Sequence, residues 1–434
     1  MLFSLLLLGT FKESSEIIAP FNVDVTSVVD SYPEWRQYRE KFLNYSRSYP
    51  IGWPRMHCDR IGKSRKIDID RLLPGDIDVV AALGDSLTEG QAINAKTLLD
   101  VLRAYPGNNF VTGADYSLSN QATLYNIFKK FSQDLESFNV AVSGSTSSML
   151  PEQAQTLVEK LMTTYGEGLE SKMIFINIFI GHNDLCKTLY GAESYYLNLL
   201  EAIKTIKSNV PNAFINIMSS FDVNLLRRLH QYSPFCEAYH RLACPCLFKS
   251  DVTELESQKT EQDAVIRKIV EEFEATPTFD IIYNPVANTD RLPEAGNTPN
   301  VAFFALDCFH FSLEGHDLMA KETWRSLFIS EKKPINFYKI DPGYYKCPYL
   351  RTRGNAKNCT FDSNLVTPVL VEKVLQSTET QISRPNISWL FGAIGFMVGG
   401  TLMVIIRIGR KNDSLDEHLP LLINSKEDLY EPLF

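Results

Sequence analysis

From Trp389 to Ile406 the sequence reads WLFGAIGFMVGGTLMVII, 18 residues without a charged side chain. A helix needs about 20 such residues to cross roughly 30 Å of hydrocarbon, where every backbone polar group must be satisfied within the segment. A buried helix of a globular core is the alternative, but such helices keep a polar stripe and this stretch has none. Arg407, Arg410 and Lys411 follow the apolar run. By the positive-inside rule these cations place residues 407–434 in the cytosol and everything before Trp389 on the lumenal or extracellular side. The expectation is a single-pass type I topology with one transmembrane helix over 389–406. Gly395 and Gly399 form a GxxxG pair that can bring two such helices together.

Other segments fit that compartment. Residues 1–20 begin Met1-Leu-Phe-Ser-Leu-Leu-Leu-Leu, an apolar core suited to a signal peptide, although the usual basic start is missing. All eight cysteines (58, 186, 236, 244, 246, 308, 347 and 359) precede the span. An oxidising compartment favours disulfides among them, and the sequence selects no pairing. Asn44-Tyr-Ser, Asn358-Cys-Thr and Asn386-Ile-Ser are glycosylation sequons on the same side. In the tail, Glu417-His-Leu-Pro-Leu421-Leu422 and Tyr430-Glu-Pro-Leu433 look like endocytic sorting signals. They imply sorting adaptors as cytoplasmic partners, and cycling between the cell surface and endosomes or lysosomes.

Composition excludes two classes. Lys plus Arg is 43 against 52 Asp plus Glu, a net charge of −9, which removes the basic footprint of a nucleic-acid binder. The seven histidines, at 57, 182, 230, 240, 310, 316 and 418, show no HExxH or CxxC…H spacing, so no metal site and no cofactor are expected.

Between residues 75 and 331, short apolar runs alternate with amphipathic stretches, the pattern of an α/β domain. Residues 77–83, 138–142, 173–180 and 213–218 read as buried strands. Helices are expected at 152–165, 193–209, 257–275 and 315–329, covering both faces of a mostly parallel sheet. Residues 21–74 form an N-terminal extension whose helix, Glu34 to Tyr45, presents Trp35, Tyr38, Phe42 and Tyr45 for packing on the main domain. Residues 332–388 read as a strap and stalk leading to the span.

Four blocks at expected strand ends carry the chemistry. The first strand runs into Gly84-Asp85-Ser86-Leu87-Thr88-Glu89-Gly90, where α/β sheets place ligands. Ser86 is the candidate nucleophile; taken alone, the same turn also fits an N-cap. The second strand leads to Gly144, whose N–H can point into the site. The third leads to Gly181-His182-Asn183-Asp184, where Asn183 offers an amide donor. Asp307-Cys-Phe-His310 then sets a carboxylate three residues before an imidazole, so that Asp307 can orient His310 and His310 can take the Ser86 proton. Asp85 and Asp184 read as turn formers, His182 as a supporting hydrogen-bond partner, His316 as a cap or packing residue, and Glu89 as solvated.

Together these blocks resemble the GDSL or SGNH hydrolase family over about 230 residues. The resemblance implies a three-layer α/β/α fold, a Ser86–His310–Asp307 triad and an oxyanion hole from Ser86, Gly144 and Asn183. Pro74 to Thr88, Asp115-Tyr-Ser-Leu-Ser, Leu124-Tyr-Asn-Ile-Phe-Lys-Lys-Phe and Cys347-Pro-Tyr-Leu-Arg-Thr are similar to its membrane-associated phospholipase B branch, in single-repeat form. Two departures bear on acyl-chain preference: Thr88-Glu89-Gly90 replaces Thr-Ala-Gly, and Tyr116-Ser-Leu replaces a tryptophan-containing segment. That branch implies hydrolysis of fatty acyl esters of glycerophospholipids and lysophospholipids. Leu118, Leu124 and Phe128 are candidate lip residues for acyl chains, with packing in the core as the alternative. Two other functions share the sequence: a carboxylesterase for short-chain or carbohydrate esters, and a non-catalytic lipid-binding membrane protein.

Overall fold

The computed structural model describes residues 33–45, 51–54, 56, 63–64, 66–97, 99–187, 190–230, 234–287, 294–295, 298–299, 301–328 and 350. The expected signal peptide, the stalk, the span over 389–406, the cytoplasmic tail and Cys58, Cys347 and Cys359 lie outside the described residues. No helix among the described residues is long and apolar enough to cross a membrane.

Five strands, β1 (Val79–Gly84), β2 (Glu136–Asn139), β3 (Ile174–Phe179), β4 (Ala213–Met218) and β5 (Phe279–Asn284), form one parallel sheet in the order β2-β1-β3-β4-β5. β1, β3 and β4 are buried along their whole length, as parallel strands covered on both faces must be. Side chains alternate between two cores because successive residues of a strand point to opposite faces. Val80, Ala82, Phe175, Phe179, Phe214 and Met218 belong to one core, shared with Leu124, Phe128, Leu318 and Trp324. Val79, Ala81, Leu83, Ile176, Ile178 and Ile215 belong to the other, shared with the helices Leu150–Tyr165, Ala192–Asn209 and Val252–Glu272. Helix, sheet and helix thus form three layers.

Trp35, Tyr38 and Phe42 of the helix Pro33–Tyr45 are buried in the first of these cores, and the Tyr38 hydroxyl donates to the Leu306 carbonyl at 2.9 Å.

Three expectations are corrected. β5 was not among the expected strands, because Asp280 interrupts its apolar run; that carboxylate is buried and accepts the Ile281 N–H at 2.9 Å. The second strand stops at Asn139 rather than 142. There the Asn139 side chain accepts the Ala141 N–H at 3.0 Å and donates to the Thr88 carbonyl at 2.9 Å, turning the chain toward the site. Leu118, Leu124 and Phe128 form no lip: all three are buried in the core.

Candidate active site

The turn that carries Ser86 is fixed at both ends. At its start, the Gln153 amide bonds both Gly84 backbone groups, accepting the N–H and donating to the carbonyl, each at 2.8 Å. A Cβ on Gly84 would lie 2.4 Å from both the Phe179 carbonyl oxygen and Thr88 Oγ1. Only glycine lets β1 leave the sheet this close to β3. Asp85 then caps the short helix Ser86–Glu89, its carboxylate accepting the Leu87 N–H at 2.9 Å. Ser86 opens that helix, where N–H groups have no intrahelical acceptor.

Asp307 and His310 share one hydrogen-bonded turn. Asp307 Oδ1 accepts the N–H groups of Phe309 and His310, each at 3.0 Å, and Oδ2 lies 2.6 Å from His310 Nδ1. His310 Nε2 lies 2.8 Å from Ser86 Oγ. With Nδ1–H given to Asp307, Nε2 is the acceptor for the serine proton. Burial would raise the Asp307 pKa, but the His310 charge, its hydrogen bond and the two N–H groups prevail and hold it below the usual carboxylate value. Asp307 therefore stays ionised beside the imidazole.

This turn contains Cys308 in the left-handed region, φ 60°, a conformation that a non-glycine residue keeps only when its surroundings impose it. They do so through the helix Pro234–Ala243. Its Cys236 forms a disulfide with Cys308, and its His240 donates from Nε2 to the Cys308 carbonyl at 2.9 Å. Burial, with the Asp307 carboxylate nearby, raises the pKa of Tyr239 in the same helix.

Asn183, in the helix His182–Cys186, donates from its amide to the Ser145 carbonyl at 2.9 Å, leaving the second amide hydrogen for another acceptor. Gly144 stands exposed at φ 79° in the loop after β2. Asp184 accepts the Ser147 N–H at 2.9 Å and the Ser147 hydroxyl at 2.6 Å, and Lys187 Nζ donates to the Gly144 carbonyl at 2.8 Å. The loop 144–147 is therefore laced to residues 183–187 by three side chains. Cys186 anchors the same helix through a disulfide with Cys244.

The remaining sequence candidates have definite places. His182 bonds Asp85, and His316 is buried with Nδ1 accepting the Phe110 N–H at 3.2 Å. Glu89 is not solvated: it is half-buried, accepting the Ser143 N–H at 2.7 Å and the Ser143 hydroxyl. Gln153, Tyr239, His240 and Lys187 were missed, since each acts across a long sequence separation and none has a local signature. One group of possible metal ligands occurs among the described residues, the sulfurs of Cys186, Cys244 and Cys246. Two of these are joined in the disulfide and are not thiolate ligands in this state.

The profile of the family described as GDSL-like Lipase/Acylhydrolase matches residues 80–323. The chain belongs to this family and is a serine ester hydrolase. Among its relatives, human "Phospholipase B1, membrane-associated" is 30% identical over 329 residues, covering 66% of this chain and 22% of that protein. The rat protein of the same name is 27% identical over 414 residues, covering 86% and 28%. The chain thus matches only about a quarter of the length of these relatives. A solved structure of the psychrotrophic esterase EstA from Pseudoalteromonas sp. aligns with 57% of this chain and 96% of its own, at 15% identity and a TM-score of 0.29.

Proposed function

We propose that this chain is a membrane-anchored lipid esterase that removes fatty acyl groups from glycerophospholipids and lysophospholipids. The observation that carries the chemistry is the continuous hydrogen-bonded chain from Ser86 through His310 to Asp307. Similarity to proteins named membrane-associated phospholipase B1 supports the substrate class.

In acylation, Ser86 Oγ attacks the ester carbonyl carbon as its proton passes to His310 Nε2. Negative charge moves to the carbonyl oxygen, which the Ser86 and Gly144 N–H groups and the Asn183 amide receive. The tetrahedral species collapses, the bond to the glycerol oxygen breaks, and the imidazolium proton goes to that leaving oxygen. Water then attacks the acyl-enzyme with His310 again taking a proton, and the fatty acid departs with Ser86 restored. Asp307 keeps the imidazole in one tautomer and stabilises its charged form. Anchoring by residues 389–406 holds the domain beside a bilayer of substrate at high effective concentration.

A serine-directed alkyl fluorophosphonate tests the chemistry directly. The full chain should be labelled once and inactivated, and Ser86→Ala should not be labelled. Labelling of Ser86→Ala at the same rate would place the nucleophile elsewhere.

A further inference from the structure

The chain leaves the short helix Ser86–Glu89 at Gly90 and returns to it at Tyr105. The Gly90 and Gln91 N–H groups donate to the Ser86 carbonyl at 2.9 and 3.0 Å, and the Tyr105 N–H donates to the Gly90 carbonyl at 2.9 Å. Between them, the Ala92 N–H donates to the Arg103 carbonyl at 2.8 Å. Residues 91–105 are thus rooted at both ends against the helix that carries Ser86, just beyond the end of β1. Val142, in the loop after β2, is anchored at the same edge by donating its N–H to the Gly84 carbonyl at 3.3 Å, and its side chain is exposed.

Leu99–Leu102 forms one 3₁₀ turn within these residues. Side chains three positions apart eclipse in such a turn, so Leu99 and Leu102 share a side. They are 45% and 52% exposed, whereas Val101 is 1% exposed and its carbonyl accepts from the Gln91 side-chain amide at 3.1 Å. The buried valine fixes the turn, and the two leucines stand in water. Lys96 and Arg103 are exposed on either side of them. The intervening carboxylate, Asp100, accepts from the Lys96 N–H, the Thr97 N–H and the Thr97 hydroxyl at 3.2, 2.9 and 2.9 Å and lies 3.4 Å from Arg103.

Apolar side chains bracketed by cations suit the interface of a phospholipid bilayer, where the apolar groups enter the acyl region and the cations meet phosphates. A stable protein partner would need about 800 Å² of complementary surface on this side, which three exposed side chains do not make, whereas a bilayer accepts single side chains of any shape. We propose that Leu99 and Leu102, with Lys96 and Arg103 beside them, dock this domain on a phospholipid bilayer and bring the edge that carries Ser86 to the lipid. This rests on the phospholipase reading and adds to it the surface that meets the membrane.

The test uses the full chain in vesicles of non-hydrolysable ether-linked phosphatidylcholine, with two substrates: a long-chain ester phosphatidylcholine within the vesicles, and water-soluble dibutyroylphosphatidylcholine added outside. Leu99→Ser combined with Leu102→Ser should lose about tenfold or more on the vesicle substrate and less than about threefold on the soluble one. Met162→Ser, in the helix Leu150–Tyr165 and 53% exposed, should leave both rates unchanged. Equal losses on both substrates would give the leucines a role in the soluble site or the fold, and an unchanged vesicle rate would leave them to a protein partner; either overturns the proposal alone. A second readout is independent of turnover: a bimane on Leu102→Cys should be quenched by a phospholipid with an acyl-chain nitroxide, and one on Met162→Cys should not. Equal quenching at both positions, or none, also overturns it. A wild type that cleaves neither phosphatidylcholine refutes the phospholipase reading itself, and this proposal with it.

Discussion

His182 Nδ1 lies 3.2 Å from Asp85 Oδ2, in a pair whose side chains are each 1% exposed. The other ring nitrogen, Nε2, accepts the Phe221 N–H at 3.2 Å, so Nδ1 carries the hydrogen and donates to Asp85. Asp85 immediately precedes Ser86, the proposed nucleophile, and His182 immediately precedes Asn183, the proposed oxyanion donor. One buried pair thus locks the turn that carries Ser86 to the helix that carries Asn183.

Replacing His182 by Phe keeps a ring between Phe179 and Phe221, which it now contacts at centroid distances of 4.6 Å each. It leaves the Asp85 carboxylate and the Phe221 N–H without this partner. A buried charge stripped of a hydrogen bond costs about 2–4 kcal/mol. His182→Phe should therefore unfold at a temperature several degrees lower and lose kcat with little change in KM, measured by calorimetry and steady-state ester hydrolysis.

Gly144→Ala tests backbone geometry apart from crowding. Among the described residues the nearest neighbour of the new methyl is Lys187 Nζ at 3.9 Å, so the cost arises from φ 79°, about 1–2 kcal/mol for a residue with a Cβ. Relaxation of that angle turns the N–H away, and loss of one oxyanion donor lowers kcat by about 10²–10³. Gly168→Ala, with open space around its Cβ position, should leave activity unchanged.

Reducing the protein tests the brace on the acid turn. The Cys236–Cys308 and Cys186–Cys244 disulfides span 72 and 58 residues, and each closure of that length removes about 4 kcal/mol of unfolded-chain entropy. Cys236→Ser paired with Cys308→Ser should lower Tm and reduce kcat as well, because Cys308 lies between Asp307 and His310. Unaltered kcat in the folded variant would show that His240 suffices to hold the turn.

Local and long-range information divide clearly at this site. The placement of Ser86 and Asn183 just beyond strand ends and the Asp307–His310 contact were legible because each is set by a strand end or a single turn. Glu89 looked solvated because its partner Ser143 lies beyond another strand, and Gln153 looked like an ordinary helix residue because its two bonds go to Gly84. The apolar runs containing Leu118, Leu124 and Phe128 have a periodicity that fits either a lip or a core, and only the packing of the layers separates the two. Disulfide pairing was likewise invisible until the helix Pro234–Ala243 was set against the acid turn.

Acid should destabilise the fold through buried neutral histidines. Burial, with a smaller contribution from His310, pushes the His316 pKa down to about 3, and burial pushes that of His240 down to about 4. Both lie below the unfolded value of about 6.5, so as pH falls from there the unfolded chain takes up protons that the folded chain refuses. Stability is present above that value and is lost as pH drops toward the folded pKa values. Tm should fall between about pH 7 and about pH 4. His316→Asn, which retains an acceptor for the Phe110 N–H, should show a shallower fall.

The most direct measurement is fatty-acid release by the full chain in detergent from phosphatidylcholine, lysophosphatidylcholine and a short-chain ester, beside Ser86→Ala and Asp307→Asn. Release from both phospholipids is expected, with at least about 10⁴-fold loss in Ser86→Ala and about 10³–10⁴-fold loss in Asp307→Asn. Release from the short-chain ester alone would make the chain a general carboxylesterase, and undiminished release by Ser86→Ala would contradict the catalytic assignment outright.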